Sequence, residues 1–233
     1  MIRRPPRSTR KESSAASDVY KRQMVTWIFG ESSEFSKKLI KKANKKDDIV
    51  LTFGRGSIDY RDIQSFIKKH YKDSTYDQPT KILINVKTDF KLEETRHKTD
   101  ITFKYITPIR TISFLADVLN FIGEKASDNN LPVTVVYITS SATNNDFSSN
   151  PLWRLREYVG IRHIQQAHMS ACDTKYMQVL GVSPSYLDKS NIDLYAKQVI
   201  DILYNPPEVR RGLCDLYFLN NGWISLYGLK NYE

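Results

Sequence analysis

Short β-branched and aromatic runs alternate along this chain with stretches whose apolar positions recur every three or four residues. The runs at 25–29 (VTWIF), 49–53 (IVLTF), 81–86 (KILINV), 133–139 (VTVVYIT) and 178–182 read as strands, with 216–219 as a last one and 58–60 as a brief extra one. Between them, Phe35, Leu39, Ile40 and Ala43 stand at helical spacing, with six lysines from Lys37 to Lys46 on the opposite face. Helices are expected over 61–71 (Ile63, Phe66 and Ile67 inward), 106–125, 155–176 and 192–204, the last stopped by Pro206-Pro207. Residues 88–104 are polar and take no clear assignment. Strand–helix alternation implies an α/β chain: a doubly wound parallel sheet in three α/β/α layers, single-domain from residue 24 to 233.

Charge changes the picture less than it first promises. The chain has 233 residues, with 35 basic and 26 acidic side chains, a net +9. Residues 1–23 carry seven basic and two acidic groups, leaving 28 basic and 24 acidic over the rest. This leader is Arg/Ser/Pro-rich, has no apolar period and no signal-peptide h-region, and is followed by Met24. It resembles a sequencing adaptor translated in frame, and is expected to be non-native or, failing that, a disordered basic tail. With it set aside, nucleic-acid binding has little left to rest on beyond the lysine run, which reads first as a solvated helix face. No apolar run approaches the roughly 18 residues a membrane helix needs. Cys172 and Cys214 lack metal-ligand spacing and suit a reducing, cytoplasmic setting. No metal site is expected.

Candidate chemistry gathers where strands end. Gly30 follows the first strand, Asn85 follows KILI, Ser141 follows VVYIT, Tyr158 and Arg162 stand four apart on one helix face, and Pro184 follows the strand at 178–182. On these residues the chain resembles the short-chain dehydrogenase/reductase family over nearly all of 24–225. That resemblance implies a Rossmann-like NAD(P)-binding domain, from which the stretch 49–60 departs by compressing two strands and losing the helix between them. It implies that Ser141 orients a carbonyl and Tyr158 is the acid/base. Arg162 stands where the family has a lysine. Gly30, Ser32, Ser33, Arg55, Asp59, Asn85 and Pro184 would line the cofactor, NAD or NADP, with Arg55 tilting the choice to NADP. It also implies a small-molecule substrate and a homodimer or homotetramer, built partly on the apolar helix at 106–125.

The sequence departs from the family at several points. Of the glycine-rich turn only Gly30 is present, and Glu31 brings a charge near the place where a pyrophosphate must approach backbone. Arg162 is a cation but cannot relay a proton as lysine can. Each candidate has an ordinary alternative. Ser141 would be a loop residue, Tyr158 a packing residue and Gly30 a turn former. Arg55 would be solvated, and Asp59 a cap for the helix near Arg61. Two functions therefore stand side by side. One is an NAD(P)-dependent oxidoreductase acting on a carbonyl/alcohol pair, and the other is a catalytically degenerate binding or assembly module of the same fold.

Overall fold

The computed structural model describes residues 24–46, 49–54, 62–72, 78–85, 101–138, 176–183, 190–207, 213–219 and 222–227, with backbone alone for 101–112 and the last two segments. The strands are β1 (Val25–Phe29), β2 (Ile49–Phe53), β3 (Pro79–Ile84), β4 (Val133–Ile138), β5 (Met177–Ser183), β6 (Leu213–Leu219) and β7 (Gly222–Tyr227). The helices are α1 (Glu34–Ala43), α2 (Ile63–His70), α3 (Ile101–Asp128) and α4 (Ile192–Tyr204). All seven strands form one sheet in the order β2-β1-β3-β4-β5-β6-β7. Every neighbouring pair is parallel except β6 with β7.

The three-layer, doubly wound architecture follows from the strand alternation. Trp27 and Phe29 face one side of β1 and Ile28 the other, and all three are fully buried. The first side packs Ile82, Ile84, Val135 and Val179 of the sheet against Phe66 of α2 and Phe114, Leu115, Val118, Leu119 and Ile122 of α3. The second packs Leu83, Val136, Leu180 and Val182 against Phe35, Leu39 and Ala43 of α1 and Ala196, Val199, Ile200 and Leu203 of α4. A sheet with apolar side chains on both faces needs helices on both, which is why its strands read as continuous apolar runs. On α1, the lysine run is partly consumed by ion pairing to α4: Lys42 and Lys38 reach Asp193 at 2.9 and 3.8 Å, and Lys46 reaches Asp201 at 3.7 Å.

Several boundaries differ from the sequence reading, each for a physical reason. The cap of α2 is Asp62, not Asp59: Asp62 Oδ1 accepts from the Ser65 backbone N–H at 2.9 Å and Oδ2 from the Ser65 hydroxyl at 2.6 Å. Those bonds hold the Asp62 carboxyl below its ordinary value. Helix α3 starts at Ile101, inside the polar stretch left unassigned. It ends at Asp128, and two residues on Asn130, with a φ of 51°, and the Leu131 N–H bond to Ala126 C=O (2.9 Å) make a left-handed helix stop. Tyr176 is in a turn, not the last residue of a helix, and its carbonyl accepts from Val133 N–H at 2.7 Å. Strand β7 was not foreseen. It pairs Leu219 with Gly222, and so short a connection can only return antiparallel. The expected strand at 58–60 and the helix over 155–175 lie outside the described residues.

Among the described residues only β2 lies beyond β1, whereas the usual dinucleotide-binding order carries two strands there. The chain then returns through α2 to place β3 on the other side of β1.

Candidate functional site

Strands β2 and β3 flank β1 on opposite sides, so the winding direction reverses between β1 and β3. At such a reversal the connections leaving the two strands diverge, and a crevice opens at their carboxyl ends. Three of the residues singled out in the sequence meet at this point.

Gly30 leaves β1 with φ of 96°, a conformation that side-chain-bearing residues rarely adopt. Its N–H donates to Phe53 C=O of β2 at 2.8 Å, while Asn85 N–H donates to Phe29 C=O, also at 2.8 Å. The end of β1 is thus tied to the ends of both neighbours. Four residues on, α1 begins. Its N-cap is Ser33, whose Oγ accepts from Ser36 N–H at 3.0 Å. Helix α1 therefore points its amino end, with its uncompensated N–H groups, at the carboxyl edge of the sheet.

Asn85 closes the arrangement from the β3 side. Its side chain is 4% exposed, and Nδ2 donates to Ser36 Oγ at 2.8 Å and lies 3.5 Å from Ser33 Oγ. The two serine hydroxyls are 2.8 Å apart. Ser33 and Asn85 are thus brought together, with Ser36 as the link. Ser36 was not singled out. The signal for it was a polar residue on the inward stripe of α1, in register with Leu39 and Ala43 and three residues after a capping serine. Ser32 is exposed in the connection.

Glu31 does not hold its charge where the sequence analysis expected it. Its side chain turns toward β2, where Thr52 Oγ1 donates to Oε2 at 3.3 Å. It lies against Gly54, where a β-carbon would collide with the Glu31 carboxylate. The charge therefore leans away from the β1–β3 crevice and over the end of β2. Ser141, Tyr158, Arg162, Arg55, Asp59 and Pro184 lie outside the described residues. Of the cofactor candidates, the structure places Gly30, Ser32, Ser33 and Asn85 around one strand end. Among the described residues no cluster of three or more His, Cys, Asp or Glu is arranged to hold a metal, and no helix is long and apolar enough to cross a membrane.

No protein-family model matches the chain, and neither does any curated protein. Solved structures do match. One is a dTDP-4-dehydrorhamnose reductase from Clostridium acetobutylicum ATCC 824, with TM-score 0.55 and 12% identity over 88% of this chain and 77% of that one. Another is the dTDP-4-dehydrorhamnose reductase from Bacillus anthracis str. Ames in complex with NADP, with TM-score 0.53 and 14% identity over 87% and 77%. A third is a short-chain dehydrogenase/reductase from Serratia marcescens BCRC 10948, with TM-score 0.54 and 12% identity over 85% and 96%. At these identities the likeness is one of fold: the chain has the Rossmann-like α/β architecture that these reductases share.

Proposed function

We propose that this protein is an NAD(P)-dependent oxidoreductase of the short-chain dehydrogenase/reductase kind, acting on a carbonyl/alcohol pair of a small molecule. The observation that carries the reading is the convergence of Gly30, the Ser33-capped start of α1 and buried Asn85 at the switch point. Bare backbone at Gly30 and the amino end of a ten-residue helix fit the pyrophosphate of a dinucleotide. The tilt of Glu31 toward β2 removes the nearest carboxylate from that place.

The dinucleotide, when bound, supplies or accepts the hydride. The remaining work falls to this chain. Ser141, three residues past the end of β4, is assigned to hold the substrate carbonyl by a hydrogen bond. Tyr158 transfers the proton at that oxygen. A free phenol titrates near 10, and lowering it by about three units, near 4 kcal/mol, makes it competent at neutral pH. Arg162 is the fixed cation assigned to that shift. A homodimer or homotetramer belongs to the same proposal and rests on the resemblance. The apolar side chains of α3 between Phe114 and Ala126 are buried within the chain itself apart from half-buried Phe121, and its exposed positions there are Asp117 and Glu124.

The test is fluorescence titration and thermal shift of the full chain with NADH and NADPH, followed by turnover on a panel of aldehydes and ketones. Saturable binding of at least one dinucleotide is expected. Tyr158→Phe should lower turnover by about 10²–10⁴-fold while binding is kept. Absence of binding at millimolar concentration of both ends the proposal. The degenerate-module reading is favoured by one observation, that the polar groups of Ser33, Ser36 and Asn85 bond to one another. Dinucleotide binding with no turnover that responds to Tyr158→Phe would select it.

A further inference from the structure

Gly54 sits where β2 ends, 24 residues beyond Gly30. In dinucleotide-binding α/β folds this is where an acidic side chain meets the adenosine ribose, or an arginine meets a 2′-phosphate. Gly54 itself offers no side chain. The three atoms nearest to a β-carbon built on it all belong to Glu31: Oε1, Cδ and Cγ. Thr52, two residues before Gly54, fixes the other carboxylate oxygen at 3.3 Å. A carboxylate does stand at the end of β2, but it is delivered from the turn after β1.

We propose that Glu31 is the cofactor-discriminating residue, presenting its carboxylate to the 2′,3′-diol of an adenosine ribose and repelling a 2′-phosphate. This rests on the reading that the switch-point crevice takes a nicotinamide dinucleotide. A carboxylate accepts from two vicinal hydroxyls and has no proton to give a phosphate. The direction is opposite to that implied by Arg55, which immediately follows Gly54 in sequence. Glu31 is anchored on two sides, by Thr52 and by the bare face of Gly54, and its station depends on that glycine having no side chain. Gly54 is not in the left-handed region, so alanine is compatible with its backbone. The atoms it would strike are the far end of an exposed, flexible side chain. Gly54→Ala therefore displaces the carboxylate while leaving Glu31 chemically intact.

The test is equilibrium titration of the full-length protein with NADH and NADPH, followed by fluorescence, in the wild type, Glu31→Gln and Gly54→Ala, with melting temperature as a folding control. The wild type should bind NADH at least tenfold more tightly than NADPH. Glu31→Gln should bring that ratio below about threefold by tightening NADPH. Gly54→Ala should lower it in the same direction, and the double variant should add nothing to Glu31→Gln. A wild-type ratio near one or favouring NADPH overturns the proposal, and so does a ratio that Glu31→Gln leaves unmoved. In either case the oxidoreductase reading stands. Binding of neither dinucleotide overturns both.

Discussion

Asn85 Nδ2 donates to Ser36 Oγ at 2.8 Å, joining the end of β3 to the first turn of α1 through two side chains that are 4% and 1% exposed. A bond between groups this buried matters chiefly through the cost of leaving one of them unpaired. Asn85→Ala strands the Ser36 hydroxyl with only Ser33 as partner. Ser36→Ala strands the Asn85 amide, whose other contact, with Ser33, is 3.5 Å long. Each variant is expected to lose about 1–3 kcal/mol in urea denaturation. The double variant should lose less than the sum, by at least about 0.5 kcal/mol. Strict additivity would show that the two side chains do not support one another.

Gly30 and Gly54 flank the same corner but should respond differently to alanine. The φ of 96° at Gly30 penalises any β-carbon, at a cost of about 1–3 kcal/mol. At Gly54 the only obstacle among the nearest atoms is the Glu31 side chain, which can swing into solvent. Melting curves of Gly30→Ala and Gly54→Ala should therefore separate clearly, with Gly30→Ala the less stable. Equal losses would mean that backbone conformation is not what requires Gly30.

Much of this architecture was legible in the residue pattern. VTVVYIT cannot be a half-exposed strand, because it carries apolar side chains on both faces, and such a strand needs helices on both sides. The helix expected over 192–204 coincides with α4, which Pro206-Pro207 follows as a stop. The start of α3 was hidden because the residues before it are polar, and helix formation there is not announced by an apolar stripe. Strand β7 escaped because a short GWISLY run carries little signal apart from the strand it pairs with. In the site, Gly30 and Asn85 were visible as strand-end residues and Ser33 as a turn residue, though not as the cap of α1. The reach of Glu31 was not, because it depends on the side-chain direction and on which strand lies next to β1. Ser36 was hidden in plain view, as a small polar residue on an otherwise apolar stripe.

The sheet divides the core into two chemically similar but separate halves, and that separation is measurable. Leu119 of α3 and Leu39 of α1 are both fully buried, one on each face. Leu→Ala at either position removes the same atoms and leaves a cavity, costing about 2–5 kcal/mol. Because the two side chains share no partner across the sheet, their losses should add to within about 0.5 kcal/mol in denaturant titrations of the single and double variants. Strong coupling would mean the two layers do not pack independently.

His70, at the carboxyl end of α2, is wedged between two rings, 5.0 Å from Phe53 and 4.8 Å from Phe66 between centroids. Burial against them, with Lys69 beside it, holds its pKa below the ordinary 6.5. The folded state therefore favours the neutral imidazole. The stability this represents is fully present above pH 6.5, and it is lost as pH falls below 6.5 and through the lowered folded value. The half-buried position of His70 and the neighbouring solvent keep the effect modest. His70→Phe retains a ring in the same place and removes the titration. The expected outcome is a wild-type melting temperature that drops more between pH 7.5 and pH 5 than that of His70→Phe. The other three histidines are common to both proteins, so whatever they contribute cancels in the difference. Parallel pH profiles for the two proteins would show that the ring cluster tolerates the imidazolium, and that Phe53 and Phe66 do not enclose it as the geometry implies.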